Sequence, residues 1–143
     1  MIKPDGVARG LVGEVMMRFE RRGFCLVGMK LVKPTTDVLE RHYEEHKTKP
    51  FFPNLMTYTM SGPVVVMVFQ GLDVVRACRM MMGETRPTEC MPGTIRGDFC
   101  IEMGRNLIHG SDSVQSAKRE IGIWFTPVEL TMPCRCDMNM IYE

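Results

Sequence analysis

The run Pro63-Val64-Val65-Val66-Met67-Val68-Phe69 carries no polar side chain. An uninterrupted apolar run of this length reads as a strand buried on both faces, not one that alternates between core and water. Such a strand needs helices above and below it and other strands at its edges. That requirement organises the reading of everything else.

The helices that could cover it are visible as periodic stretches. From Leu11 to Arg22 the apolar positions Leu11, Val12, Val15, Met16 and Phe19 repeat with helical spacing, and Gly23 follows as a stop. Phe24 to Val32 reads as a second strand, with Cys25, Val27, Met29 and Leu31 on one side. Pro34-Thr35-Thr36-Asp37 opens a helix that runs to about Lys47 and carries His42, Tyr43 and His46. His42 and His46 stand one turn apart among Glu and Lys, which predicts a solvated face and not a metal site. Pro50-Phe51-Phe52-Pro53 breaks the helix, and a short one follows from about Asn54 to Met60. Leu72 to Met82 is helical, with Val75, Cys78 and Met82 inward, Arg76 and Arg79 outward, and Gly83 at its end. Glu84 to Asp98 reads as a long loop, and a loop of that length in a compact domain is usually functional. Phe99 to Met103 suits a short strand or an apolar staple, and Trp124 to Leu130 closes the core. Helices alternating with a few strands imply an α/β sandwich around one sheet.

A chain of 143 residues, 45% apolar and 24% charged, has the size of one domain with a real core. No apolar run reaches the length of a membrane span. A net charge of +1 gives no electrostatic case for nucleic acid. The six cysteines, at 25, 78, 90, 100, 134 and 136, form no C-x-x-C and no zinc spacing. With no export signal at the start, they read as reduced thiols and the protein as cytoplasmic. The opening Met1-Ile2 suits the last part of a strand, and Pro4-Asp5-Gly6 a turn.

One stretch suggests chemistry. In Asn106-Leu107-Ile108-His109-Gly110-Ser111-Asp112 an apolar pair runs into a histidine, and Ser111 and Asp112 suit the cap of a helix carrying Val114, Ala117 and Ile121. A neutral imidazole held at such a junction can act as base, ligand or nucleophile. Lys3, Arg79, Arg86, Arg96 and Arg105 stand near turns and the long loop. Each alone suits a solvated surface. Gathered with Thr85 and main-chain N–H groups, they suit phosphates, because Arg offers a planar fork and Lys a point charge. Phosphoryl transfer asks a protein mainly for positioning and charge stabilisation. Glu120, on the helix after His109, can reach back to orient the imidazole.

The chain resembles the nucleoside diphosphate kinases. The resemblance runs from Ile2-Lys3-Pro4-Asp5-Gly6 to about Leu130. It passes through Arg9-Gly10-Leu11-Val12-Gly13, Pro50-Phe51-Phe52-Pro53, Ser61-Gly62-Pro63-Val64 and Gly83-Glu84-Thr85. Its most specific motifs are Pro92-Gly93-Thr94-Ile95-Arg96-Gly97-Asp98 and the His109 stretch.

The resemblance implies an α+β sandwich of ferredoxin-like type, with a four-stranded antiparallel sheet whose first strand is here truncated. It implies one domain over residues 1–143, with a divergent tail at 131–143. The activity it implies is Mg²⁺-dependent, ping-pong transfer of the γ-phosphoryl group of a nucleoside triphosphate, mainly ATP, to nucleoside diphosphates. His109 matches the nucleophile, attacking through Nδ1. Glu120 matches its orienting carboxylate, Ser111 a hydroxyl near it and Tyr43 a tyrosine close by. Lys3, Arg79, Thr85, Arg96 and Asn106 match phosphate and ribose contacts. Phe51 matches the aromatic that stacks on the base, Met103 the residue that covers it, and Asp112 an acid that reaches the metal through water. The resemblance also implies a homohexamer. The rival reading is a nucleotide-binding or scaffold protein that keeps the fold without turnover.

Overall fold

The computed structural model describes residues 1–132 and 137–143. Cys134 and Cys136 lie outside the described residues, while Cys25, Cys78, Cys90 and Cys100 are free thiols.

The apolar run forms strand β2, Val64–Gln70, antiparallel to β1, Cys25–Val32. Val64, Val65 and Val66 are almost fully buried. Successive residues feed opposite layers. Val65 belongs with Phe19, Met82 and Ile95, whereas Val64 and Val66 belong with Phe125, Ile121 and Trp124. The strand is thus buried on both faces, as its composition requires. Helices α2 (Val12–Arg21) and α5 (Val74–Met82) border the first layer, and α7 (Val114–Trp124) the second. Helix α3 (Thr36–His42) and helix α4 (Phe52–Met60) join α7 through Leu39, Tyr43 and Met56, which pack with Trp124.

On its other edge β2 meets Ile2, which exchanges both main-chain bonds with Val65 at 2.7 and 3.1 Å. Ile2 also bridges to Ile108. The order across the molecule is therefore Ile108, Ile2, β2, β1. Among the described residues only β1 and β2 form a named sheet, so the expected four-stranded sheet is present as two strands and two bridges. Beyond Val65 the free edge of β2 faces a cavity of about 140 Å³.

Several local expectations are corrected. Pro4–Ala8 is a short helix, α1, where Pro-Asp-Gly predicts a turn; proline at the first helical position has no N–H to lose. A bulge between Leu26 and Gly28 switches the faces of β1, so Met29 and Leu31 point outward at 49% and 66% exposure. The long loop contains helix α6, Ile95–Phe99, because the Thr94 hydroxyl accepts a bond from Gly97 N and caps it. Residues 99–103 form no strand. Ser113, not Ser111 or Asp112, caps α7 by accepting from Ser116 N at 3.0 Å. A last short helix, α8, spans Met138–Ile141.

Ile2 has no exposed surface and joins both halves of the sheet. Ile2→Ala is expected to cost about 3 kcal/mol by loss of buried methyl groups and the cavity left behind. A urea melt should show a lower midpoint with an unchanged slope.

Candidate active site

The stretch before His109 is held under strain. Leu107 is buried with a φ of +66°, a conformation that costs a branched residue about 1–3 kcal/mol. Its N–H donates to Asp5 Oδ2 at 3.1 Å and its carbonyl accepts from Lys3 N at 2.8 Å. The Tyr58 hydroxyl donates to the other Asp5 oxygen. Helix α1 and the Ile2 bridge therefore fix the backbone that carries His109.

His109 Nε2 lies 2.9 Å from Glu120 Oε2, and Ser111 Oγ donates to the same oxygen at 2.8 Å. Ser111 is available for this because Ser113 does the capping. Glu120 sits on α7, so the helix brings the carboxylate back over the turn. Burial alone would raise the Glu120 carboxyl; its hydrogen bond and charge interaction with His109 outweigh that and hold it below the usual carboxylate range. Burial pushes the His109 imidazole down, against the pull of Glu120. A neutral ring beside a carboxylate carries its proton on Nε2, which leaves the Nδ1 lone pair unused.

His109 opens into a cleft of about 570 Å³, within the range of small-molecule sites. Lys3, Tyr43, Phe51, Arg79, Thr85, Arg96, Met103, Asn106, Asp112 and Glu120 line it as well. Ser111 stands just behind, on Glu120. Arg105 lines the cleft too, whereas Arg86 lies outside it, exposed and 3.9 Å from Glu89; the other residues singled out by sequence are gathered at one place.

The cations are fixed by main-chain and amide oxygens. Lys3 Nζ donates to Asn106 Oδ1 at 2.6 Å, and Asn106 Nδ2 donates to Thr85 O at 3.3 Å. Burial, then the charge of Arg96, bring the Lys3 ammonium down to about 8. Arg96 is buried and donates to the carbonyls of Asn106, Gly83, Glu84 and Ile108. No carboxylate pairs with it among the described residues, so its charge stays available to an anion in the cleft. Gly83 makes the arrangement possible: its φ is +84°, and a Cβ there would stand 2.6 Å from Thr94 Oγ1. Arg79 NH1 donates to Gly110 O at 3.3 Å. Phe51 and Met103 are exposed at the mouth of the cleft, at 50% and 57%. Asp112 is exposed at the rim, ionised with the help of the Ser116 hydroxyl.

The solvated face expected for His42 and His46 is corrected. His42 is 4% exposed, its ring 4.5 Å from that of His109 at 72°. Trp124 Nε1 donates to its Nδ1 at 3.1 Å. His46 is half-buried between Tyr43 and Phe51, with ring centroids 6.1 and 5.6 Å away. Tyr43 lies 5.9 Å from the His109 ring, and burial pushes its phenol up to about 12. Spacing could have paired His42 with Tyr43, but nothing local shows that α7 closes over them.

His42, His109 and Glu120 each place a donor atom within 4.8 Å of the others. They do not suit a metal ion in this state. Trp124 can only donate, so His42 Nδ1 must accept, and the neutral ring then carries its proton on Nε2, so neither nitrogen keeps a free lone pair for a metal.

The sequence profile of the nucleoside diphosphate kinases matches residues 1–130. Nucleoside diphosphate kinase A of Homo sapiens is 58% identical over 142 residues, covering 99% of this chain and 93% of the relative. A nucleoside diphosphate kinase family protein from Babesia bovis superposes with a TM-score of 0.95 at 44% identity, covering 99% of this chain and 95% of that one. The nucleoside diphosphate kinase of Halobacterium salinarum, solved in complex with CDP, gives a TM-score of 0.95 at 42% identity, with the same coverage of each chain. With the His109–Glu120 pair at the floor of a cationic cleft, the chain belongs to the nucleoside diphosphate kinase family.

Proposed function

We propose that the protein moves the γ-phosphoryl group of a nucleoside triphosphate, mainly ATP, to nucleoside diphosphates through a phosphohistidine at His109. The observation that carries this reading is the 2.9 Å contact of His109 Nε2 with Glu120, which leaves Nδ1 as the free nitrogen of a side chain 23% exposed. In the first half-reaction the Nδ1 lone pair attacks the γ-phosphorus. The Nδ1–P bond forms, the bond to the β-phosphate oxygen breaks, and the diphosphate leaves with the electron pair. Glu120 stabilises the positive charge that the ring gains, and Ser111 holds Glu120. In the second half-reaction another diphosphate takes the phosphoryl group by the reverse path. One site serves donor and acceptor in turn.

Lys3, Arg79, Arg96, Thr85 and Asn106 hold the phosphates and ribose, and Tyr43 keeps its phenol protonated beside the reacting group. Phe51 and Met103 hold the base by its faces, a contact any base can make. Nucleobase choice is therefore loose, and sugar and phosphate contacts supply the specificity. Mg²⁺ fits as part of the bound nucleotide. Asp112 offers a hard carboxylate oxygen at the rim and would hold the ion through water, whereas His42 and His109 are nitrogen side chains, which suit Mg²⁺ poorly. When bound, the ion would supply neutralisation of phosphate charge.

The order Ile108, Ile2, β2, β1 supports a ferredoxin-like four-stranded arrangement, and residues 1–143 act as one domain. Met29 and Leu31, exposed on the open edge strand, support assembly with further copies, in line with a homohexamer. No described helix is long and apolar enough to cross a membrane, and four free thiols support a reducing compartment, the cytoplasm.

Incubation with Mg²⁺ and ATP labelled on the γ-phosphate should leave acid-labile, base-stable label on the protein. His109→Ala should abolish it, and dGDP or UDP should remove it. Absence of label on folded protein would remove the enzyme reading and leave a nucleotide-binding scaffold.

Lys3 makes a pH prediction. Its ammonium is lost as pH rises through about 8, so kcat/KM, which reports the free enzyme, should fall above that pH. In Lys3→Arg the alkaline limb should disappear, because a guanidinium stays charged there.

A further inference from the structure

The kinase reading gives His42 no role. Its side chain is buried, yet its Nε2 has no hydrogen-bond partner among the described residues. Buried donors without partners are rare in folded proteins and call for a reason. The Trp124 indole N–H donates to Nδ1 at 3.1 Å, so the neutral ring is the Nε2–H tautomer. Burial, and then the neighbouring charge of His109, bring His42 down to about 3. Arg119 and the Met1 amine act in the same direction, and only Glu120 opposes them. The ring is neutral at working pH. It meets His109 edge-on, with centroids 4.5 Å apart. One donor atom each of His42, His109 and Glu120 lies within 4.8 Å of the other two.

We propose that His42 is a positioning residue: fixed by Trp124 as the Nε2–H tautomer, it presents a donor and not an acceptor to the His109–Glu120 pair. The His109 proton then has one strong acceptor nearby, Glu120, and stays on Nε2. The opposite tautomer of His42 would offer a lone pair to the same proton and turn the His109 ring from its attack geometry. A neutral His42 also puts no cation beside a ring that becomes positive as Nδ1 attacks phosphorus. Trp124 acts one step further out, through His42. The orphaned N–H is the cost of denying His109 a second acceptor.

This inference rests on His109 being the nucleophile. Two measurements separate the claims. Long-range proton–nitrogen NMR of the imidazoles reads the tautomers directly. Single-turnover phosphorylation by Mg·ATP, beside nucleotide affinity, reads their effect. Wild-type protein should show Nε2–H at both His42 and His109. Trp124→Phe should admit the Nδ1–H form of His42 and slow phosphorylation about tenfold or more, as a misdirected catalytic imidazole does. Nucleotide affinity should stay as in wild type. Adding His42→Phe removes the competing lone pair, so the double variant should recover both the His109 tautomer and most of the rate.

A wild-type His42 protonated on Nδ1 overturns the proposal, and this result does not depend on any variant folding. So does a folded Trp124→Phe with unchanged tautomers and rate, or a double variant as slow as the single one. Phosphorylation of wild-type protein at another residue would instead overturn the role of His109 as nucleophile, and the tautomer spectra would still report on His42.

Discussion

The Glu120 carboxylate receives His109 Nε2 at 2.9 Å and Ser111 Oγ at 2.8 Å on a single oxygen. Much of the structure between residues 106 and 120 follows from bringing those groups together. The backbone enters through a strained Leu107, bends at Asp112 and Ser113 and starts a helix at Val114 that returns Glu120 to the imidazole. Ser113 must do the capping so that Ser111 is left for the carboxylate. Asp5 and Lys3 hold the entry strand from the other side. Strain in such a place persists only because the surroundings over-determine it.

Electrostatics then divides the cleft into two parts. At its floor, burial favours neutral imidazoles, and the charge is concentrated on Glu120. Along its wall, Lys3 and Arg96 are buried cations bonded to amide and carbonyl oxygens. No carboxylate neutralises Arg96 among the described residues, so these charges repel each other until an anion arrives. Burial, and then that repulsion, depress Lys3. An anion bound between them would relieve the repulsion.

Much of this was legible in the sequence. The apolar run at 63–69 could only be a doubly buried strand, and it is one. The periodic stretches around Phe19, Cys78 and Ile121 are helices close to where their spacing puts them. The motifs around Arg96 and His109 brought the site residues to one cleft. What was not legible depended on contacts between distant segments. His42 looks solvated beside Glu44 and Glu45, and the docking of His109 and Trp124, both distant in sequence, buries it. Ser111 and Ser113 are equivalent as caps until Glu120 is seen to need one of them. A bulge at Val27 leaves no local mark, yet it turns Met29 and Leu31 outward. Two residues of strand at the start gave little periodicity to read, and Ile2 acts through bridges on both sides.

The central claim is that Glu120 claims one nitrogen of His109 and leaves the other for phosphorus. The most direct test is the isomer of the phosphohistidine formed with Mg·ATP, read by phosphorus–nitrogen coupling in protein labelled with ¹⁵N at histidine. The expected spectrum couples phosphorus to Nδ1 of His109, with the proton retained on Nε2. A phosphoryl group on Nε2 would contradict it, because the Glu120 contact would then have to break before any chemistry could occur.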